Sequence, residues 1–150
     1  MAVNPVPRGY HSVQPYLIVR GAKDLLQFVK TAFDAKETEN MSAPDGTVMH
    51  AEVKIGDSIV MLSDAQGPWQ PTQAALYVYV PDVDATYRKA LAAGGISAME
   101  PADQFYGDRH GGVKDRWNNF WWIATRVENV PEDEMRRRAE QYMTQKTQAT

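Results

Sequence analysis

The chain has 150 residues, a formal net charge of −3, 43% hydrophobic residues and no cysteine. Without cysteine there are no disulfides, thiolate nucleophiles, zinc–thiolate sites or iron–sulfur clusters, and the acidic balance supplies no broad footprint for nucleic acid. The length suits one domain, large enough to bury roughly 68–70% of its unfolded surface.

The opening residues MAVNPVPRGY read as an extended lead-in over 1–11, without the hydrophobic core of a signal peptide. No apolar run approaches the ~20 residues that span a bilayer. A cytoplasmic protein without membrane or nucleic-acid partners is the expectation. The stretch QPYLIVRGAKDLLQFVKTAF, from Gln14, predicts a strand, a turn and an amphipathic helix. Ala22, Leu25, Leu26, Val29, Ala32 and Phe33 recur on one helical face. The segments KETENMSA, TVMHAEVKI and DSIVMLSD follow as three strands.

The same order returns 61 residues later, Val19 falling on Val80 and Asp57 on Asn118. ALYVYVPDVDATYRKALAAG predicts a strand and a helix with Val83, Tyr87, Ala90 and Leu91 on its apolar face, closed by Gly94 and Gly95. SAMEPADQ, FYGDRHGGVKD and NNFWWIAT complete the second set of strands. Each half reads β-α-β-β-β, and two copies of this length indicate a pseudo-two-fold domain rather than a solenoid. The domain is expected over 12–130, with modules at about 12–66 and 73–127. A helix and tail fill 131–150, with Pro131 and acidic residues in the first turn and a stripe of Met135, Ala139, Tyr142 and Met143. The basic run Arg136–Arg138 follows three acidic residues and reads as a solvated face.

Two such modules, with YGDRHGGVKD leading into an aromatic strand, resemble the vicinal oxygen chelate superfamily of glyoxalase I, bleomycin-resistance proteins and extradiol dioxygenases. VMHAEVKIGDSIVMLSD, LYVYVPDVDATYRKALAAGG and FYGDRHGGVKD are similar to its PhnB-like branch. The resemblance covers about Tyr10 to Arg126. It implies an α+β fold in which two β-α-β-β-β modules curve mixed sheets around a cavity, and a homodimer. Metal-using members place ligands on the first and last strand of each module, positions that fall here on Gln14, Met61, Ala75 and Trp122. Only Gln14 suits a hard or borderline ion. A thioether favours soft ions, alanine has no donor, and indole offers only an N–H. A catalytic site needs about three ligands, so neither a metal nor another cofactor is expected. DRWNN also departs from the Asp-Pro-Phe-Gly of relatives, with Asn118 placed to take the left-handed turn of the glycine.

Strand alternation then assigns the cavity wall. It comprises Gln14, Tyr16 and Ile18; Ile59, Met61 and Ser63; Ala75, Tyr77 and Tyr79; and Phe120, Trp122 and Ala124. Trp121 and Ile123 face the helices. Trp69, in the loop GPWQPT, is placed to close over a mouth. This aromatic surface either lines a pocket or fills it. His50 and Glu52 share a strand face, which is either the cavity side or a polar edge; on the cavity side they are candidates for binding or proton transfer. His11 and His110 are expected in solvent, and Asp108 and Arg109 as an ion pair holding their loop.

Two functions follow. The first is a protein that holds a flat aromatic or apolar small molecule in the region of Gln14, Tyr16, Met61, Trp69, Tyr77, Tyr79, Phe120 and Trp122. The alternative is a lyase or isomerase using His50, Glu52 and Gln14, with or without a recruited divalent metal. A regulatory dimer with a filled cavity is a third.

Overall fold

Helix α1 (Ala22–Phe33) begins at Gly21, which has φ 93° and no side chain to cap it. Asp64 supplies the cap from a strand distant in sequence: its Oδ1 accepts from the N–H groups of Gly21 and Ala22, at 2.8 and 2.9 Å. Its Oδ2 accepts from Val48 at 2.8 Å. Burial alone would raise the carboxyl's pKa, but these three N–H groups outweigh it and hold the group below the usual range. The start of the helix and the strands that carry Val48 and Asp64 are thus fixed by one side chain. The computed structural model describes residues 2–149.

The first sheet contains β1 (Tyr16–Val19), β2 (Lys36–Ser42), β3 (Val48–Ile55) and β4 (Ser58–Asp64), in the order β1-β4-β3-β2. The second contains β5 (Ala75–Tyr79), β6 (Ile96–Asp103), β7 (Asp108–Lys114) and β8 (Phe120–Arg126), in the order β5-β8-β7-β6. Helix α2 (Val83–Ala92) follows β5, and α3 (Glu132–Gln148) ends the described chain. In each sheet the first strand pairs parallel with the last and the others are antiparallel. Tyr16 pairs with Met61, and Tyr77 with Trp122, so the 61-residue offset holds in the register itself. The α+β architecture of two β-α-β-β-β modules and a C-terminal helix is therefore as the sequence indicates.

The face assignments hold through the strands. Leu17, Val19, Val60, Leu62, Trp121 and Ile123 are buried in one core with the apolar face of α1 and with Val83, Tyr87 and Ala90 of α2. Phe28 also enters it. Gly94 takes φ 107°; its N–H donates to the Leu91 carbonyl, and that of Gly95 to Ala90. This pair of bonds is a Schellman C-cap. By contrast α3 has no buried residue, and its stripe leaves Tyr142 and Met143 exposed. It is attached through Arg138, which pairs with Glu128 at 2.8 Å and donates to the Phe105 carbonyl, and through Tyr142 beside Phe105. No helix among the described residues is long and apolar enough to cross a membrane.

DRWNN forms the joint between the modules. Asn118 takes φ 68°, the left-handed turn expected of it. Asp115, 1% exposed, accepts from the N–H groups of Trp117 and Asn119, from the Asn119 amide and from the Trp121 indole. Trp117 in turn donates to the Arg20 carbonyl, and Arg116 pairs with Asp24. Removing the carboxylate orphans several buried donors, each costing about 1–3 kcal/mol. Asp115→Ala is therefore expected to lose about 3 kcal/mol of stability or more in urea unfolding. A loss within error of zero would show that the joint does not depend on this carboxylate.

Candidate functional site

The concave faces of the two sheets carry matched tyrosine–histidine pairs. In the first module the Tyr16 and His50 rings lie 5.6 Å apart, with the hydroxyl 3.0 Å from Nδ1. In the second, Tyr77 and His110 lie 4.9 Å apart. Ala51, next to His50, pairs with Leu62, and Gly111, next to His110, pairs with Ile123, so the two histidines hold equivalent places in the repeat. The face of His50 and Glu52 is thereby decided: it is the side of Tyr16. Ala51 and Val53 occupy the helix side, both with 0% exposure. Around these pairs the modules diverge in chemistry.

In the first module the surroundings are polar. Glu52 is 2% exposed, lies across from Met61, and accepts a bond of 2.9 Å from the Tyr10 hydroxyl. His50 Nε2 is 3.8 Å from its carboxylate. Exposed Glu39, which pairs with Glu52 across β2 and β3, completes a group that sequence reading missed. The signal was obscured by a shift of register between Glu37 and Glu39, which breaks simple alternation along β2.

The second module is aromatic. Where the first has Glu52 opposite Met61, it has Gly112 opposite Trp122. A Cβ at Gly112 would stand 2.3 Å from the Trp122 ring, so the indole lies flat on the bare backbone. Trp122 stacks on Phe120 at 5.5 Å and 14°, and meets His110 edge-on. Tyr77 and Tyr79 both donate to Asp108 Oδ2, at 2.8 and 2.9 Å. Asp108 Oδ1 forms an ion pair with Arg126 Nε at 3.0 Å, without hydrogen-bond alignment. Burial, reinforced by the bond to Asp108, pushes the Tyr77 phenol far above its ordinary range.

Several expected placements are corrected. Gln14 lies just before β1, and its Oε1 accepts from the His11 N–H at 2.7 Å instead of joining His50 and Glu52. His110 does not face solvent: β7 carries it into the aromatic group, and its Nδ1 meets the Tyr106 hydroxyl at 2.9 Å. Asp108 and Arg109 do not pair with each other, because neighbours on a strand point to opposite faces. Arg109 instead reaches Asp84 of α2 and Asp103, at 2.8 and 3.3 Å.

Two clefts open on these surfaces. One of about 520 Å³ lies between the modules, where Tyr16 and Ile59 of the first face Ala75, Tyr77 and Tyr79 of the second. The other, about 420 Å³, is bounded by Tyr16, Ile18, Met49, Ser63 and Trp69. Trp69 is 67% exposed and held by a bridge to Gln66. Tyr16 belongs to both clefts. Met61, Phe120 and Trp122 are half-buried on the concave side but line neither, and Gln14 also lines neither.

His110 also has a consequence for stability. Burial lowers its pKa, a shift that nearby Asp108 only partly opposes. The unfolded chain therefore binds a proton more readily than the folded one as pH falls through the ordinary imidazole range, about 6.5. Stability contributed by neutral His110 is present above that range and lost below it. The melting temperature of wild type is expected to fall between pH 7.5 and 5.5 more steeply than that of His110→Gln. Parallel curves would show that His110 does not titrate in this way.

The family model of the Glyoxalase/Bleomycin resistance protein/Dioxygenase superfamily matches residues 10–123. An uncharacterized protein of Mycobacterium tuberculosis, Rv0887c, is 33% identical over 146 residues, covering 90% of this chain and 84% of its own length. Among solved structures, TioX from Micromonospora sp. ML1 aligns with a TM-score of 0.63 at 21% identity, over 77% of this chain and 100% of that one. The PhnB protein from Bacillus cereus aligns with a TM-score of 0.62 at 19% identity, over 77% and 99%. The paired modules, their register and the extent of the family match agree, and the chain belongs to the glyoxalase/bleomycin resistance/dioxygenase superfamily.

Proposed function

We propose that this protein binds a small, flat aromatic or apolar molecule in the cleft between its modules, as a binding protein of the bleomycin-resistance type. The observation that carries this reading is the 520 Å³ cleft walled by half-exposed tyrosines from both modules. That volume falls within the range of small-molecule sites, about 300–1,000 Å³. The shared carboxylate of Asp108 ties both hydroxyls of Tyr77 and Tyr79, whose rings stand 5.3 Å apart. Rings restrained in this way lose little further freedom when a guest packs on them, and each ring contact adds about 0.5–1.5 kcal/mol beyond the area it buries. The expected working form is a homodimer, in line with the resemblance.

Tyr16 gives the cleanest test, because removing it leaves no buried charge behind. Planar aromatic probes such as acridine orange are expected to bind wild type at micromolar concentrations in a fluorescence titration. Tyr16→Ala is expected to weaken that binding about tenfold, equivalent to about 1.4 kcal/mol. Equal affinity in wild type and variant would count against this cleft as the site.

A second reading, a lyase or isomerase, draws on the His50–Glu52 pair beside the Tyr16 hydroxyl. An imidazole next to a carboxylate is suited to moving a proton at a bound molecule. The readings separate in a His50→Ala, Glu52→Ala double variant. A binder keeps its affinity for the aromatic probe in that background, whereas an enzyme loses turnover of any substrate it accepts.

A further inference from the structure

Glu39, His50 and Glu52 bring one potential ligand atom each to within 4.8 Å of the others. Two antiparallel strands create the arrangement: Glu39 of β2 pairs with Glu52 of β3, and His50 precedes Glu52 by one step on the same face. Glu52 is the unusual member. It is 2% exposed, and its partners among the described residues are the Tyr10 hydroxyl and, at 3.8 Å, His50; no lysine or arginine forms an ion pair with it. A carboxylate in that position is costly unless a positive charge compensates it. A second carboxylate beside it increases the cost.

We propose that β2 and β3 hold a divalent cation through the carboxylates of Glu39 and Glu52 and the Nε2 of His50. The cation supplies the charge that the protein does not provide. Ligands about 2.1 Å from a tetrahedral ion stand about 3.4 Å apart. Closing from the present spacing requires only a modest shift, which the exposed Glu39 side chain is free to make.

The outer atoms of two ligands are already held. Tyr16 shares a 3.0 Å hydrogen bond with His50 Nδ1, leaving Nε2 turned toward Glu52. The Tyr10 hydroxyl donates to Glu52 Oε2. Outer bonds of this kind set the orientation and basicity of metal ligands, and they are an observation separate from the clustering itself. One imidazole and two carboxylates suit zinc, manganese or ferrous iron. Absence of thiolate disfavours softer ions, and the imidazole disfavours magnesium and calcium. Three protein ligands leave at least one position open, and half-exposed His50 places the site on the concave face next to Tyr16. The site is independent of Gln14, Met61, Ala75 and Trp122, the positions at which the resemblance implies ligands.

The test uses the full chain, stripped with chelator, dialysed and titrated with zinc chloride by calorimetry. Cobalt(II) absorption then reports the coordination. One equivalent of zinc is expected to bind, with Glu52→Gln and His50→Ala each weakening it at least tenfold and Glu39→Gln weakening it less. Melting temperatures separate a lost site from a damaged fold. Metal-free Glu52→Gln, whose amide oxygen can still accept from the Tyr10 hydroxyl, is expected to melt close to wild type, and zinc is expected to raise the melting temperature of wild type alone. No uptake by wild type would overturn the proposal. So would uptake that Glu52→Gln leaves unchanged, which would mark an adventitious ion. If His50→Ala does not fold, Glu52→Gln decides the matter.

Discussion

Everything else in the molecule depends on the burial of Trp121. This residue of the last strand, with 0% exposure, packs against Phe28 and Phe33 at 6.1 and 4.9 Å, both on the helix of the other module. Its ring is the largest single piece of apolar surface in the core, and its indole N–H is a polar group that must be satisfied there. Asp115 satisfies it while folding its own turn around the same carboxylate. Packing between modules and the path of the chain into β8 are therefore the same event. The spacing of Tyr16 from Tyr77, and so the width of the cleft, follows from how that contact seats one module on the other.

The duplicated module offers two versions of one surface, and the exchange of Glu52 and Met61 for Gly112 and Trp122 accounts for much of their difference. With Glu52 beside Met61 the sheet surface is polar and centred on a buried charge. Gly112 beside Trp122 instead removes a side chain so that an indole can lie on the backbone. A glycine inside a strand is entropically unfavourable. Here that cost is offset by the stacking of Trp122 with Phe120 and its edge contact with His110. The Tyr16–His50 and Tyr77–His110 ring pairs occupy equivalent places in the two modules, but only the first is joined by a hydrogen bond.

The sequence made the frame legible because periodicity and the repeat act over many residues at once. The apolar faces of α1 and α2, the alternation placing Tyr16 and Trp122 opposite Leu17 and Trp121, and the turn at Asn118 all follow from local rules. Features that depend on a single register or a single side chain did not come through in that way. Glu39 joins His50 and Glu52 only because β2 shifts its pairing by a residue. His110 sits among glycines that resemble a loop, yet the hydrogen-bond ladder with β8 makes its segment a strand. Gln14 falls two residues short of the strand to which it was assigned. Asp115 gave no sign in the sequence that four donors would converge on it.

The C-terminal helix stands apart from this economy of burial. Its 17 residues contribute nothing to the core and are fastened to the domain by a guanidinium, a few carboxylates and one ring contact. Interactions between charges at a surface are screened by salt, whereas apolar burial is not weakened by it. The helix is thus a separate unit of opening, with a local free energy well below that of the domain. Ionic strength can loosen it while the two sheets and their clefts stay intact, which makes it the part of the chain most readily exchanged for a different contact.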